Sequence, residues 1–158
     1  MKVHIVGIGS FVPARKLTNF DLQNMVETSD EWIVERTGIR ERYIADEHTA
    51  TSDLAVEASR IALSNAGVQV EEIDLLVVAT MTPDMMSPST ACLVQSKLGA
   101  WKAVCFDVSA ACSGFIYAMD IAKKFLESRQ YKTALVIGSE KLSSIVDWTD
   151  RGTCVLFG

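Results

Sequence analysis

The stretch Asp107-Val108-Ser109-Ala110-Ala111-Cys112-Ser113-Gly114-Phe115 holds the residue best suited to covalent chemistry. An apolar run ends at Val108, very small residues follow, and Cys112 stands at the start of a segment with helical periodicity. A helix N-terminus presents free N–H groups and partial positive charge, which favour a thiolate placed there. Ala110, Ala111 and Gly114 leave room for a reacting group to reach the sulfur and nearby backbone donors, which can serve as part of an oxyanion hole. The competing reading is packing, because a free cysteine is usually a small buried hydrophobe. Spacing alone leaves both open. Cys92, Cys105 and Cys154 fall inside periodic or apolar segments and read as core.

A second stretch, residues 28–42, gathers Trp32, Arg36, Arg40 and Arg42. Guanidinium groups suit phosphate oxygens, and an indole face suits stacking on a nucleobase or another guanidinium. Glu31, Glu35 and Glu41 are interspersed, so a solvated basic turn is the plainer reading of this stretch by itself. The run Asp147-Trp148-Thr149-Asp150-Arg151-Gly152-Thr153 is polar around one aromatic and reads equally as a structural turn. His4 lies in an apolar run and His48 beside Glu47, and neither is a convincing general base. Carbon–carbon chemistry at a cysteine calls for a partner that manages protons, and the chain offers no good one. No two cysteines are spaced C-x-x-C, and with two histidines no zinc-type cluster is expected.

Positioning these residues takes alternating strands and helices. Residues 3–12, apolar with Gly7 and Gly9 and closed by Pro13, read as a strand with close backbone approaches. Thr18 precedes a short helix reaching about Met25. Thr28 and Glu31 have capping-box spacing ahead of a helix that stops at Gly38, with Trp32 and Arg36 on one face. Residues 51–66 read as a helix with Leu54, Ala58, Ile61, Ala62 and Asn65 on one stripe and Gly67 as the stop. Residues 73–80 are apolar almost throughout, the pattern of a central strand covered on both faces.

A loop with Pro83 and Pro88 leads to a helix ending at Gly99, then to a strand over 103–108. From about Cys112 to Ser128 the periodicity predicts a helix burying Phe115, Ala118, Met119, Ala122, Phe125 and Leu126. Residues 133–139 read as a buried strand and residues 152–157 as a further one. This order predicts an α/β fold with a mixed, mainly parallel sheet and helices on both faces.

The 158 residues suffice for one compact core, and 49% apolar with 22% charged residues is the balance of a globular protein. No apolar run reaches the ~18–20 residues of a membrane span. The opening reads directly as a strand, without the parts of a signal peptide, so a cytoplasmic protein with reduced thiols is expected. A net charge of −5 argues against a general nucleic-acid surface. The last residues, 153–158, stop in an apolar run without a polar tail, so the chain reads as cut.

Taken together, the stretches resemble β-ketoacyl-acyl-carrier-protein synthase III, the thiolase-fold enzymes that start type II fatty acid synthesis. The resemblance rests on Thr28-Ser29-Asp30-Glu31-Trp32-Ile33, Arg36-Thr37-Gly38-Ile39-Arg40-Glu41-Arg42, Phe106-Asp107-Val108 through Ala111-Cys112-Ser113-Gly114-Phe115, and Asp150-Arg151-Gly152-Thr153. It runs over the whole chain and implies an amino-terminal thiolase-like half over residues 1–158, with the carboxy-terminal half absent from this chain or supplied as a separate polypeptide. In that family the matching cysteine takes an acyl group from acyl-coenzyme A and condenses it with malonyl-acyl-carrier-protein, releasing carbon dioxide. The resemblance therefore implies Cys112 as nucleophile and Trp32 with Arg151 as the adenine sandwich. It further implies Arg36 on coenzyme A phosphate oxygens, and Thr28, Thr37 and Gly152 along the cofactor's path. No permanent cofactor, no metal, no membrane and no nucleic acid are implied, and the complete enzyme would be a homodimer.

Three departures from the family pattern matter. Its proton-handling histidine and asparagine lie in a second half that these residues do not include. Its glycine-rich turn into that half is likewise not reached. A phenylalanine frequent just before the equivalent of Pro88 is replaced here by Met85, Met86 and Ser87, which bears on the choice of primer acyl chain. Within the same fold, a condensing enzyme of secondary metabolism is the alternative; outside it, a catalytically incomplete half.

Overall fold

A computed structural model describes residues 2–158. In chain order the elements are β1 (Lys16–Thr18), α1 (Asn19–Leu22), α2 (Asp30–Thr37), β2 (Glu41–Tyr43), α3 (Thr51–Ala66), β3 (Leu75–Ala79), α4 (Thr90–Leu98), β4 (Val104–Val108), α5 (Gly114–Glu127), β5 (Ala134–Gly138) and α6 (Arg151–Cys154). They group into two compact units, one of residues up to Phe11 with Ala50–Glu140, the other of Val12–Thr49 with Lys141–Gly158. Among the described residues no helix is long and apolar enough to cross a membrane.

The first unit is built on a parallel sheet of order β4-β3-β5. All five residues of β3 are buried, as its unbroken apolar run predicts. Leu76 and Val78 face a cluster with Ala55, Val56, Ala91 and Val94 of α3 and α4, whereas Leu75, Val77 and Ala79 face Ala118 and Ala122 of α5. Each such aliphatic side chain contributes about 1.5–3 kcal/mol on full burial, against ~0–1 kcal/mol for an exposed ion pair such as Arg60–Glu57. The sheet core, not the surface charge pattern, holds this unit. The glycine stops are as predicted: Gly38, Gly67 and Gly99 all take positive φ at helix C-termini.

Several sequence expectations change. Residues 3–12 join no ladder; Gly7, Ile8 and Gly9 lie against α3 instead. A Cβ at Gly7 would lie 2.5 Å from the Ala62 carbonyl oxygen, and one at Gly9 2.3 Å from that of Ala58, so glycine is required at both. The Asn65 amide donates to the Ile8 carbonyl at 2.8 Å. Apolar alternation marks extended backbone, but a ladder also needs a neighbouring strand. Under this contact the helix stripe shifts: Ala58 and Ala62 lie beneath the glycines, Ile61 is exposed, and the buried face is Leu54, Ala55, Val56 and Ser59.

An open groove of about 910 Å³ is lined by residues 3–9, by α5 with Phe115 and Met119, and by residues 134–138. Phe115, expected in the core, is 44% exposed on its wall, and the fully buried face of α5 reduces to Gly114, Ala118 and Ala122. The strand expected over 133–139 forms, but β5 lies at the sheet edge and alternates between buried and partly buried residues.

The second unit packs Leu17, Leu22, Ile33, Ile44, Cys154 and Val155 beside a two-stranded antiparallel ribbon of β1 and β2. The strand expected over 152–157 is instead the short helix α6. The Asp150 carboxylate accepts the Gly152 N–H at 2.8 Å and the Thr153 hydroxyl at 2.9 Å, which caps a helical turn and drives Cys154 and Val155 into this cluster.

Candidate active site

In a parallel sheet the strands' carboxyl ends share one edge, where ligands bind in α/β folds. Here Ala79, Val108 and Gly138 are in register at that edge. Beyond them the Thr80 N–H donates to the Val108 carbonyl and the Ser139 N–H to the Ala79 carbonyl, both at 3.2 Å. Cys112 follows directly from β4. It lies in a 3-10 turn, Ala111–Ser113, so α5 begins two residues later than the periodicity predicted, at Gly114. The thiol is exposed, unlike those of the other three cysteines.

Ala111, immediately before the thiol, has φ +46°, a conformation that costs a non-glycine residue about 1–2 kcal/mol. Strain of this kind is sustained where the surroundings fix a side chain for a task. Gly114 adds close packing: a Cβ there would meet the Ala79 Cβ at 3.3 Å. Across the same edge the Glu140 carboxylate accepts the Met81 N–H at 2.7 Å, the Thr82 N–H at 3.1 Å and the Thr82 hydroxyl at 2.7 Å. It pins the loop after β3, and Met81 in turn takes a 3.3 Å contact from the Ser109 hydroxyl. Further along that loop Met86 is wholly exposed and Met85 about half exposed.

The remaining predicted site residues belong to the second unit. Ser29, one residue after the expected cap, accepts the Trp32 N–H at 3.1 Å and starts α2. The Arg36 guanidinium lies 4.5 Å and that of Arg151 5.0 Å from the Trp32 ring centroid, so these three predicted residues are together. Arg151 also donates to the Glu27 carbonyl at 3.1 Å. The Thr28 hydroxyl is buried without a hydrogen-bond partner. Thr37 is engaged locally, donating to the Ile33 carbonyl at 2.7 Å and accepting the Ile39 N–H at 3.0 Å. The Gly152 N–H is likewise taken by Asp150.

Arg42 is no phosphate ligand, although the sequence grouped it with Arg36 and Arg40. It is buried, donating to Asn19 Oδ1 at 2.7 Å and to the Val155 carbonyl oxygen. Burial pushes its guanidinium pKa down, an effect opposed by Cys154, whose own thiol is pushed up by burial. Asn19, wholly buried, also donates to Asp30 Oδ1 and the Ile39 carbonyl, each at 2.8 Å. This network frames α2. Sequence reasoning missed it, and missed Glu140 and the positive φ of Ala111, a residue singled out only for its small size. Only Glu140 left a signal, a carboxylate just past the end of an apolar strand. Among the described residues no group of three or more His, Cys, Asp or Glu is arranged to hold a metal ion.

The comparisons with known proteins agree with this architecture. A family profile described as 3-oxoacyl-[acyl-carrier-protein (ACP)] synthase III matches residues 106–158. The β-ketoacyl-[acyl-carrier-protein] synthase III of Caldanaerobacter subterraneus subsp. tengcongensis is 59% identical over 154 residues, 98% of this chain and 46% of that protein. The crystal structure of 3-oxoacyl-[acyl-carrier-protein] synthase III from Aquifex aeolicus superposes with a TM-score of 0.94 at 56% identity, over 98% of this chain and 50% of that one. The priming β-ketosynthase of the R1128 polyketide biosynthetic pathway gives 0.94 at 40% identity, over 98% of this chain and 46% of that one. The chain spans about half the length of the curated relatives it matches. In sequence and fold alike it belongs to the thiolase-like β-ketoacyl-acyl-carrier-protein synthase III family and corresponds to the amino-terminal half of its members.

Proposed function

We propose that this chain supplies the acyl-accepting half of an enzyme that starts fatty acid synthesis. The Cys112 thiolate attacks the carbonyl carbon of a short acyl-coenzyme A; the carbon–sulfur bond to coenzyme A breaks, and the acyl group stays on Cys112 as a thioester. Malonyl-acyl-carrier-protein then loses carbon dioxide, and the resulting carbanion attacks that thioester, forming the carbon–carbon bond and freeing the thiol. The observation carrying this reading is the exposed Cys112 on a strained turn at the sheet's carboxyl edge. Backbone N–H groups at the start of α5 suit the oxyanion that forms in each step. The histidine and asparagine that polarise the malonyl group in this family fall to the part of the relatives' length that this chain does not span.

Trp32, Arg36 and Arg151 form the coenzyme A end of the proposal, with Thr28, Thr37 and Gly152 along its path. A purine between Trp32 and Arg151 needs two contact layers of about 3.5 Å each, so the guanidinium, now 5.0 Å from the ring, moves out by about 2 Å when adenine enters. The working assembly on this reading is a cytoplasmic homodimer without a permanent cofactor, its exposed apolar groove covered by the other half. The test is carbon dioxide release from malonyl-acyl-carrier-protein with acetyl-coenzyme A as primer, measured on the complete protein. Product formation that needs both substrates and is lost in Cys112→Ser supports the proposal; turnover retained in Cys112→Ser overturns it.

A further inference from the structure

Two thiols away from Cys112 come together in the first unit. Cys92, in the first turn of α4, and Cys105, in β4, place their sulfur atoms 3.4 Å apart, and both are only partly buried. Neither is needed for the acyl chemistry proposed for Cys112. We propose that Cys92 and Cys105 are a reversible oxidation site, closing to an intramolecular disulfide with a peroxide as oxidant. A sulfur–sulfur bond is about 2.0 Å long, so closure asks for a small movement of two side chains between elements already packed together. Those elements are independently locked: the Asp107 carboxylate of β4 accepts the Thr90 and Ala91 N–H groups of α4 at 2.8 and 2.7 Å. The two sulfur atoms are therefore held in register.

The chemistry divides between the two sulfurs. Burial, then the neighbouring Cys92, push the Cys105 thiol up to about 12, so it stays protonated at neutral pH. The Cys92 sulfur instead receives the Ser89 hydroxyl at 3.2 Å. Cys92 attacks one peroxide oxygen, the oxygen–oxygen bond breaks, and a sulfenic acid and one water form. The Cys105 sulfur then attacks the sulfenic sulfur, its proton leaves with the hydroxyl as a second water, and the disulfide closes. Two thiols are oxidised and one peroxide is reduced to two waters; dithiothreitol reverses the bond.

The experiment oxidises the full chain with hydrogen peroxide under native conditions, in a Cys112→Ser background that removes the exposed thiol. Alkylation after unfolding and peptide mapping then follow. The expected result is a linked Cys92–Cys105 peptide, lighter than its two parts by two hydrogens and released by dithiothreitol. Cys92→Ser should abolish it and leave Cys105 free for alkylation, whereas Cys105→Ser should abolish it and leave Cys92 as a sulfenic acid that dithiothreitol returns to an alkylatable thiol. The same oxidation in denaturing urea should lower its yield at least several-fold, since the fold supplies the proximity. Full alkylation of both cysteines after native oxidation, or equal yields with and without urea, would overturn the proposal.

Discussion

The turn that carries Cys112 and the corner that carries Trp32 are built by different physics. Around Cys112 the backbone and close packing do the positioning: the end of β4, a left-handed Ala111, and Gly114 against Ala79. Around Trp32 buried polar bonds do it, from Asn19 to Asp30, Arg42 and the Ile39 carbonyl. The nucleophile proposed at Cys112 is served by a rigid turn at the end of a packed strand. The corner proposed to receive coenzyme A is served by side chains whose own partners are already fixed. One region is therefore disrupted by misplaced atoms and the other by lost hydrogen-bond partners.

The largest effect should come from Arg42→Met, which strands the Asn19 carbonyl and the Val155 carbonyl oxygen in a buried place and costs about 3 kcal/mol in urea unfolding. Local opening should then expose Cys154 to alkylation before Cys105. Gly9→Ala attacks the other side of the comparison. Its Cβ has no room on α3, and about 2–3 kcal/mol of overpacking should make Cys105 the earlier thiol to react. The reverse order of reactivity in either variant would contradict the division drawn here.

Asp74 is one of the hydrogen-bonded carboxylates of the packed unit, with Glu140 and Asp107, and it sharpens the contrast through pH. Its carboxylate accepts the Lys132 and Thr133 N–H groups at 2.8 and 3.1 Å, and chiefly the Lys132 bond holds its pKa below the ordinary 3.8. A carboxyl with a lowered folded pKa stabilises the fold fully above its unfolded value, and that stability is lost as pH falls through the folded one. Asp74→Ala should therefore cost about 2 kcal/mol at pH 7, with the gap to the parent narrowing once pH drops below about 3.8. The smallest effect belongs to Ala111→Gly. Relief of about 1 kcal/mol at positive φ is offset by about 0.5–1 kcal/mol of extra chain entropy, so the unfolding midpoint barely moves. Acylation of Cys112 should slow nonetheless, because the turn loses its rigidity.

How much of this the sequence disclosed follows the range of each interaction. The strands β3, β4 and β5 and the helix stops at Gly38, Gly67 and Gly99 were legible because composition and local backbone needs decide them. So were Cys112 at a strand-to-helix turn and the shared face of Trp32 and Arg36. The misplaced segments each depend on something outside their own residues. Residues 3–12 needed a strand neighbour, and residues 152–157 yielded to the Asp150 cap. The fate of Arg42 turned on Asn19, distant in sequence, and nothing in a small alanine announces the positive φ of Ala111. The Cys92–Cys105 approach was invisible for the same reason, since each thiol read separately as ordinary core.

The most direct measurement is denaturing intact-mass spectrometry of the protein after incubation with acetyl-coenzyme A, followed by peptide mapping. The expected result is a single acetyl adduct on this chain, located on Cys112 and missing in Cys112→Ser. An adduct on Cys92, Cys105 or Cys154, or labelling that survives in Cys112→Ser, would contradict it.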